Sequence, residues 1–108
     1  MSNITIADFK KCELKTARIL DAEEIPGADR LWKITVDTGS GTKVIVSGIK
    51  TFYPRETLPG KTIILLNNLE PAVLRGVESQ GMLLAANDGA NLALLTLDKD
   101  LPPGSIIS

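Results

Sequence analysis

Leu31-Trp32-Lys33-Ile34-Thr35-Val36-Asp37, then Thr38-Gly39-Ser40-Gly41, then Thr42-Lys43-Val44-Ile45-Val46-Ser47-Gly48-Ile49, is the stretch that decides the fold. Trp32, Ile34 and Val36 fall on one face of an extended chain, and Lys33, Thr35 and Asp37 fall on the other. The four turn-forming residues that follow, and the β-branched run after them, predict a hairpin of two half-buried strands. Working outward, Leu14 to Ile25 predicts a long strand with imperfect alternation, which a bulge or strong curvature explains. Pro26-Gly27 ends it with turn chemistry.

Towards the start, Thr5 can cap a short helix and Asp8 can return a bond to the cap, with Ile4 and Phe9 at the positions of a hydrophobic staple. That helix should end near Cys12. Towards the end, Thr51 to Pro59 is a connector with room for a helical turn, and Lys61 to Leu66 suits a buried strand. Ala72 to Gly76 reads as a short turn, Gly81 to Ala86 as a strand, and Leu92 to Leu97 as a last strand before Pro102-Pro103-Gly104. No segment after residue 12 carries a long 3.6-residue period. The pattern is that of a small all-β barrel or sandwich, one domain spanning residues 1–108.

Composition bounds the chemistry. The chain has 108 residues, 44% apolar and 23% charged, and its four aromatics (Phe9, Trp32, Phe52 and Tyr53) leave the core to aliphatic side chains. It contains no histidine and one cysteine, Cys12. Ser-His and Cys-His nucleophile pairs are thereby excluded, as is a cysteine-built structural zinc site. No Asp or Glu pair sits in a recognisable catalytic setting, so the expectation is a chain that is not an enzyme, with no metal and no cofactor. A single cysteine, a start without signal-peptide character and apolar runs too short for a bilayer predict a cytoplasmic protein with no membrane partner.

The net charge of −1 argues against strong non-specific binding to nucleic acid. Charge is uneven, however. Residues 1–61 hold ten basic against eight acidic side chains, and residues 62–108 hold two against five. This is either a weakly basic face opposite an acidic one or ordinary mixed surface charge.

Specific strings go beyond pattern. Asp8-Phe9 with Leu14-Lys15, Ala28-Asp29-Arg30-Leu31, Ser47-Gly48-Ile49, Asn68-Leu69-Glu70-Pro71, Leu74-Arg75-Gly76 and Ser79-Gln80-Gly81-Met82-Leu83-Leu84-Ala85 follow one another in order. Together they resemble the tRNA-binding domain family found attached to methionyl- and phenylalanyl-tRNA synthetases. The likeness is greatest to its free-standing dimeric members and to the C-terminal domains of methionyl-tRNA synthetases. Two departures stand out: Gln80 where the family usually has Glu, and Thr16-Ala17 where Val-Gly is common.

The resemblance implies an OB-fold five-stranded barrel over about residues 14–86, with a short N-terminal helix and C-terminal extension strands. The flanking segments, 1–13 and 87–108, would pair across a two-fold axis to make a homodimer. Leu92, Leu94, Leu95, Leu97, Ile106 and Ile107 give the tail more apolar side chains than a small barrel needs; the other reading is that the tail folds onto its own barrel. The implied function is a non-catalytic, structure-specific tRNA-binding module, acting with or within an aminoacyl-tRNA synthetase, expected to be methionyl. DNA is not an expected partner. A peptide-binding, export-type chaperone of the same fold is the alternative.

OB folds bind nucleic acid across strands two and three and the adjoining loops. Arg30, at the mouth of the second strand, either grips a phosphate or pairs with a nearby carboxylate such as Asp29. Lys33 either meets a phosphate or is a solvated strand lysine, and Lys43 and Lys50 flank the third strand. By resemblance Ser79 and Met82 line a tRNA-contacting pocket with Arg75 and Asn68 close by. From the residues alone, Ser79 equally caps a turn and Met82 equally belongs to the core. Trp32 alternates onto the apolar face, which leaves Phe52 and Tyr53 as the stacking candidates.

Overall fold

The computed structural model describes residues 2–108. The chain begins with helix α1 (Ile6–Lys10), capped by Thr5 with the expected reciprocal bonds: the Asp8 amide donates to Thr5 Oγ1 and the Thr5 amide to the Asp8 carboxylate. It ends two residues before Cys12. Ile4 and Phe9 are 70% and 37% exposed, so the chain itself leaves this apolar end uncovered.

Strand β1 (Leu14–Glu24) is the spine of the barrel. Its first half pairs with β4 (Thr62–Leu66) and its second half with β2 (Trp32–Asp37), Arg18 lying opposite both Thr62 and Asp37. One strand can serve two neighbours on the same curved sheet because a bulge between Ile19 and Asp21 bends it there. Leu20, the extra residue, is 47% exposed. The expected β2–β3 hairpin is present, with β3 spanning Thr42–Ser47, and a single 3-10 turn (Arg55–Thr57) occupies the connector.

Beyond β4 the structure departs from expectation in two places. Ala72 to Gly76 is not an isolated turn: β5 (Ala72–Leu74) and β6 (Val77–Ser79) form a hairpin around Arg75-Gly76. Gly81 to Ala86 is not one strand but two, β7 (Met82–Leu83) and β8 (Ala85–Asn87), because the chain changes partner at Leu84: its amide still donates to the Ile64 carbonyl of β4 at 3.0 Å, while its carbonyl accepts from the Leu95 amide at 3.1 Å. The main sheet runs β3-β2-β1-β4-β7, all antiparallel.

A polar seam joins its two outer strands into a nearly closed barrel. The Gln80 amide donates to the Val44 carbonyl at 2.8 Å, the Val44 amide donates to Gln80 Oε1 at 3.0 Å, and the Val46 amide donates to Ser79 Oγ at 2.9 Å. Side-chain oxygens thus take the place of ladder carbonyls where the strand is too short to supply them. The result is an all-β OB-fold barrel of five strands with one short helix.

The core is aliphatic as composition requires: Ala17, Ile19, Ile34, Val36, Ile45, Leu58, Ile63 and Leu65 are all at or below 1% exposure. Trp32 joins them from the apolar face of β2, and its indole N–H donates to the Tyr53 carbonyl at 2.9 Å. A buried indole donor therefore has its partner.

The tail folds partly onto the barrel. Strand β9 (Leu92–Leu94) pairs with β8, and Leu92 and Leu94 pack on the core. Further on, Thr16, fully buried, holds the returning chain. Its hydroxyl donates to the Pro102 carbonyl and accepts from the Ser105 amide, both at 3.0 Å. Gly39 and Gly104 cross back to back: a Cβ on Gly39, whose φ is +86°, would lie 2.5 Å from the Pro103 carbonyl oxygen. Leu95, Leu101 and Ile106 remain exposed, Ile106 at 73%.

Candidate nucleic-acid interface

The loop between β1 and β2 (residues 25–31) and the long connection from β4 to β7, which carries the β5–β6 hairpin, are the two loops with which an OB barrel meets its ligand. Here they are one rigid unit. Ile25 and Ala28 of the first loop and Val46 of β3 form a second small core, with Leu31 and Val77 of the hairpin packed against it. Since Val46 lies opposite Lys33 on the outer face of β2–β3, the hairpin roofs part of that face.

This packing brings Arg30 and Arg75 to one pocket of about 240 Å³, lined also by Gly27, Ala28, Asp29 and Leu31. Both arginines are exposed, and neither has a carboxylate within 4.0 Å among the described residues. Arg75 sits at the hairpin tip with φ +51° and Gly76 with φ +81°. Lys33 is half-buried on the β2 face beside the pocket-bearing loop.

The other sequence candidates are placed differently. Lys43 Nζ donates to the Asn67 carbonyl at 2.9 Å, fastening β3 to the end of β4. Lys50 Nζ lies 3.5 Å from Glu24 Oε1 and 5.0 Å from the centre of the Trp32 ring. Asn68 clasps the end of α1: its Oδ1 accepts from the Glu13 amide at 2.8 Å and its Nδ2 donates to the Lys11 carbonyl at 2.7 Å. It faces a different hollow, of about 580 Å³, walled by Ile6, Phe9, Leu14, Ile106 and Ile107. Ser79 is buried, and besides accepting from Val46 its hydroxyl donates to the Gly81 carbonyl at 3.1 Å. Met82, in contrast, is 45% exposed while its neighbour Leu83 points into the core. Phe52 is exposed at 43%, whereas the Tyr53 hydroxyl accepts from the Leu94 amide at 3.1 Å.

Opposite in character is an acidic hollow of about 760 Å³ lined by Asp21, Glu23, Glu24 and Glu56, with Arg55 bound to Asp21 at 3.6 Å. The two hollows are thus of opposite charge, the first with four carboxylates against Arg55, the second with two arginines against Asp29. The hairpin and its arginine were legible in principle: Arg75-Gly76 between Ala72-Val73-Leu74 and Val77-Glu78-Ser79 has the spacing of a two-residue β-turn. Its weak alternation hid it. Among the described residues no group of three or more His, Cys, Asp or Glu is placed to hold a metal ion, and no helix is long and apolar enough to cross a membrane.

A five-stranded OB barrel whose two ligand-facing loops are fused around an arginine-lined pocket defines the class: a small nucleic-acid-binding type of barrel. Residues 14–106 match the family model described as "Putative tRNA binding domain", and the chain belongs to this tRNA-binding domain family. It is 54% identical over 107 residues to a methionine–tRNA ligase of Methanococcus aeolicus, covering 99% of this chain and 16% of that protein. The chain thus spans about one sixth of the length of the curated ligases it matches. Among solved structures, a MetRS related protein from Pyrococcus horikoshii superposes with a TM-score of 0.93 at 34% identity, each chain covered completely. The chaperone CsaA of Bacillus anthracis superposes with a TM-score of 0.90 at 28% identity, over 99% of this chain and 100% of that one.

Proposed function

We propose that this tRNA-binding domain is a homodimeric, structure-specific module that delivers tRNA to an aminoacyl-tRNA synthetase in the cytoplasm, methionyl-tRNA synthetase foremost, with no chemistry of its own. The observation that carries the reading is the fusion of the β1–β2 loop to the β5–β6 hairpin by the second core, which presents a preformed basic pocket at the ligand-facing end of an OB barrel. Arg30, Lys33, Arg75 and Met82 meet the RNA, while Lys43, Lys50 and Ser79 brace the strands around them and Asn68 holds the end of α1. With one exposed stacking aromatic in the connector, recognition rests on backbone and shape more than on unpaired bases.

Dimerisation is supported by the apolar end left open by the chain: Ile6, Phe9, Ile106 and Ile107 wall one hollow, and Ile4 beside α1 is 70% exposed. A stable interface buries about 1,200–2,000 Å² in total. Two sites on one particle also offset weak single-site binding in a chain of net charge −1. The test is a titration of bulk tRNA at two salt concentrations with molar mass followed by light scattering. Saturable, salt-sensitive binding to a particle of twice the chain mass is expected; a single-chain mass removes the dimer, and no binding at low salt removes the tRNA role.

A second reading, peptide binding, is favoured by the likeness to the CsaA chaperone and by exposed Leu69, Val73 and Leu74 on and before the hairpin. Unfolded polypeptide displacing bound tRNA would support it; no displacement counts against it.

A further inference from the structure

The chain has four arginines, and they divide cleanly. Arg18 is bound to Asp100 at 3.0 Å and Arg55 to Asp21 at 3.6 Å. Arg30 and Arg75 have no such partner among the described residues, although acidic side chains outnumber basic ones thirteen to twelve. Those two share one pocket. Two arginines without a carboxylate partner on one small hollow leave it positively charged, and an anion there would neutralise that charge. Asp29 lines the same pocket without pairing to either, which still leaves positive charge in excess. The rest of the lining, Gly27, Ala28 and Leu31, offers no competing charge.

The backbone of Arg75 adds an independent sign. A two-residue turn with positive φ at both positions favours Asn, Asp or Gly at the first, because a side chain with Cβ is strained there. Arg75 occupies that position at φ +51° and is the one non-glycine residue with positive φ among those described. Strain of this kind, kept where an unstrained residue would do, marks a position whose side chain is used. The second core holds hairpin and loop together, so the backbone that carries the two arginines is set before any ligand arrives.

We infer that Arg30 and Arg75 together clamp a single backbone phosphate of the bound RNA, Arg75 doing so from a strained hairpin tip. The inference rests on the tRNA-binding reading and names the group that reading would place in this pocket. Guanidinium forks suit a phosphate bidentately, and a lysine at either position would keep charge but lose the fork.

The test uses the 108-residue chain and its variants with bulk tRNA. Arg75→Asn relieves the turn, so its melting temperature is expected to rise by about 3–6 °C while tRNA affinity falls about tenfold. Stability and binding moving in opposite directions is a result that a merely structural arginine does not give. Arg30→Ala should lower affinity by a similar factor with the melting temperature unchanged. If one phosphate is shared, either single variant leaves the salt slope nearly intact, and the double variant lowers it by about 0.7–0.9. A slope that falls in each single variant assigns two phosphates and overturns the shared clamp. Wild-type affinity in Arg75→Asn removes the clamp while leaving tRNA binding standing, since the parent chain still binds. Failure of the parent to bind tRNA at low salt, with polyglutamate bound in an Arg30- and Arg75-dependent way, assigns the pocket to acidic peptide and overturns both readings.

Discussion

The seam from Ser79 to Met82 and the pocket of Arg30 and Arg75 are joined by the same hairpin, yet they treat polar groups in opposite ways. At the seam they are bonded across the closure: Ser79 Oγ both accepts and donates, and Gln80 bonds Val44 through its amide and its side-chain oxygen. At the pocket two guanidinium groups face solvent with no carboxylate beside them. Buried polar groups cost free energy unless bonded, so a barrel closed by side chains must satisfy each one. Ser79 and Gln80 thus serve the closure of the barrel, whereas Arg30 and Arg75, in two other family strings, carry charge that no neighbour matches.

The largest effect should come from the barrel's own close contacts, where the tail crosses the β2–β3 turn. Gly39→Ala puts a Cβ 2.5 Å from the Pro103 carbonyl oxygen at a left-handed residue. Overpacking and backbone strain together should lower stability by about 2–4 kcal/mol, a fall in melting temperature of about 10 °C or more. Hydrogen exchange should then show the amides of Gly104, Ser105 and Ile107 losing protection first, since their bonds to Thr16 and Leu14 hold the returning tail. If those residues also close the dimer, light scattering will report a single-chain mass. An unchanged melting temperature would show the crossing to be loose and the contrast between the two regions overstated.

How much of this was legible can be said residue by residue. The β2–β3 hairpin was, because Trp32, Ile34 and Val36 alternate without interruption and one face is buried. The cap of α1 was, because its geometry is local. The β5–β6 hairpin was legible only at its Arg75-Gly76 turn: all three residues of β5 are exposed, so no buried face imprints a period on the sequence. The division of Gly81 to Ala86 was hidden because it lies in a change of partner at Leu84, from β4 to the segment that follows Leu94, and neither partner is a neighbour in sequence.

Thr16 stood out only as a departure from the usual valine. Its value as the anchor of the tail depends on Pro102 and Ser105 returning to it. Arg30 and Arg75 were each found as candidates, but not as a pair, since their meeting depends on the packing of Ala28 and Leu31 against Val77. Local chemistry writes itself into neighbouring residues; closure and pairing between distant loops do not.

A smaller and more discriminating effect is expected at Ser79. Ser79→Ala leaves the buried Val46 amide without an acceptor and should cost about 1–3 kcal/mol. Below the transition, where the chain is folded, tRNA affinity should stay within a factor of two of the parent. Affinity that falls severalfold in a folded variant would make Ser79 an RNA contact, and the seam would then belong to the site.

Met82 separates the two regions most finely, because it sits in the seam string but turns outward. It pairs with Leu66 through the backbone, which a change of side chain leaves alone, and its side chain is 45% exposed while Leu83 beside it is buried. Truncation at such a position should shift stability by no more than about 0.5 kcal/mol. A thioether packing on a base would nonetheless be lost, and about a two- to fivefold weaker tRNA affinity is expected from Met82→Ala, with no change in salt slope because no charge is involved. Met82→Leu, which keeps the apolar volume, should recover most of it. Equal affinity in parent and Met82→Ala would confine recognition to the charged pocket, whereas a loss of stability as large as that of Ser79→Ala would return Met82 to the closing seam.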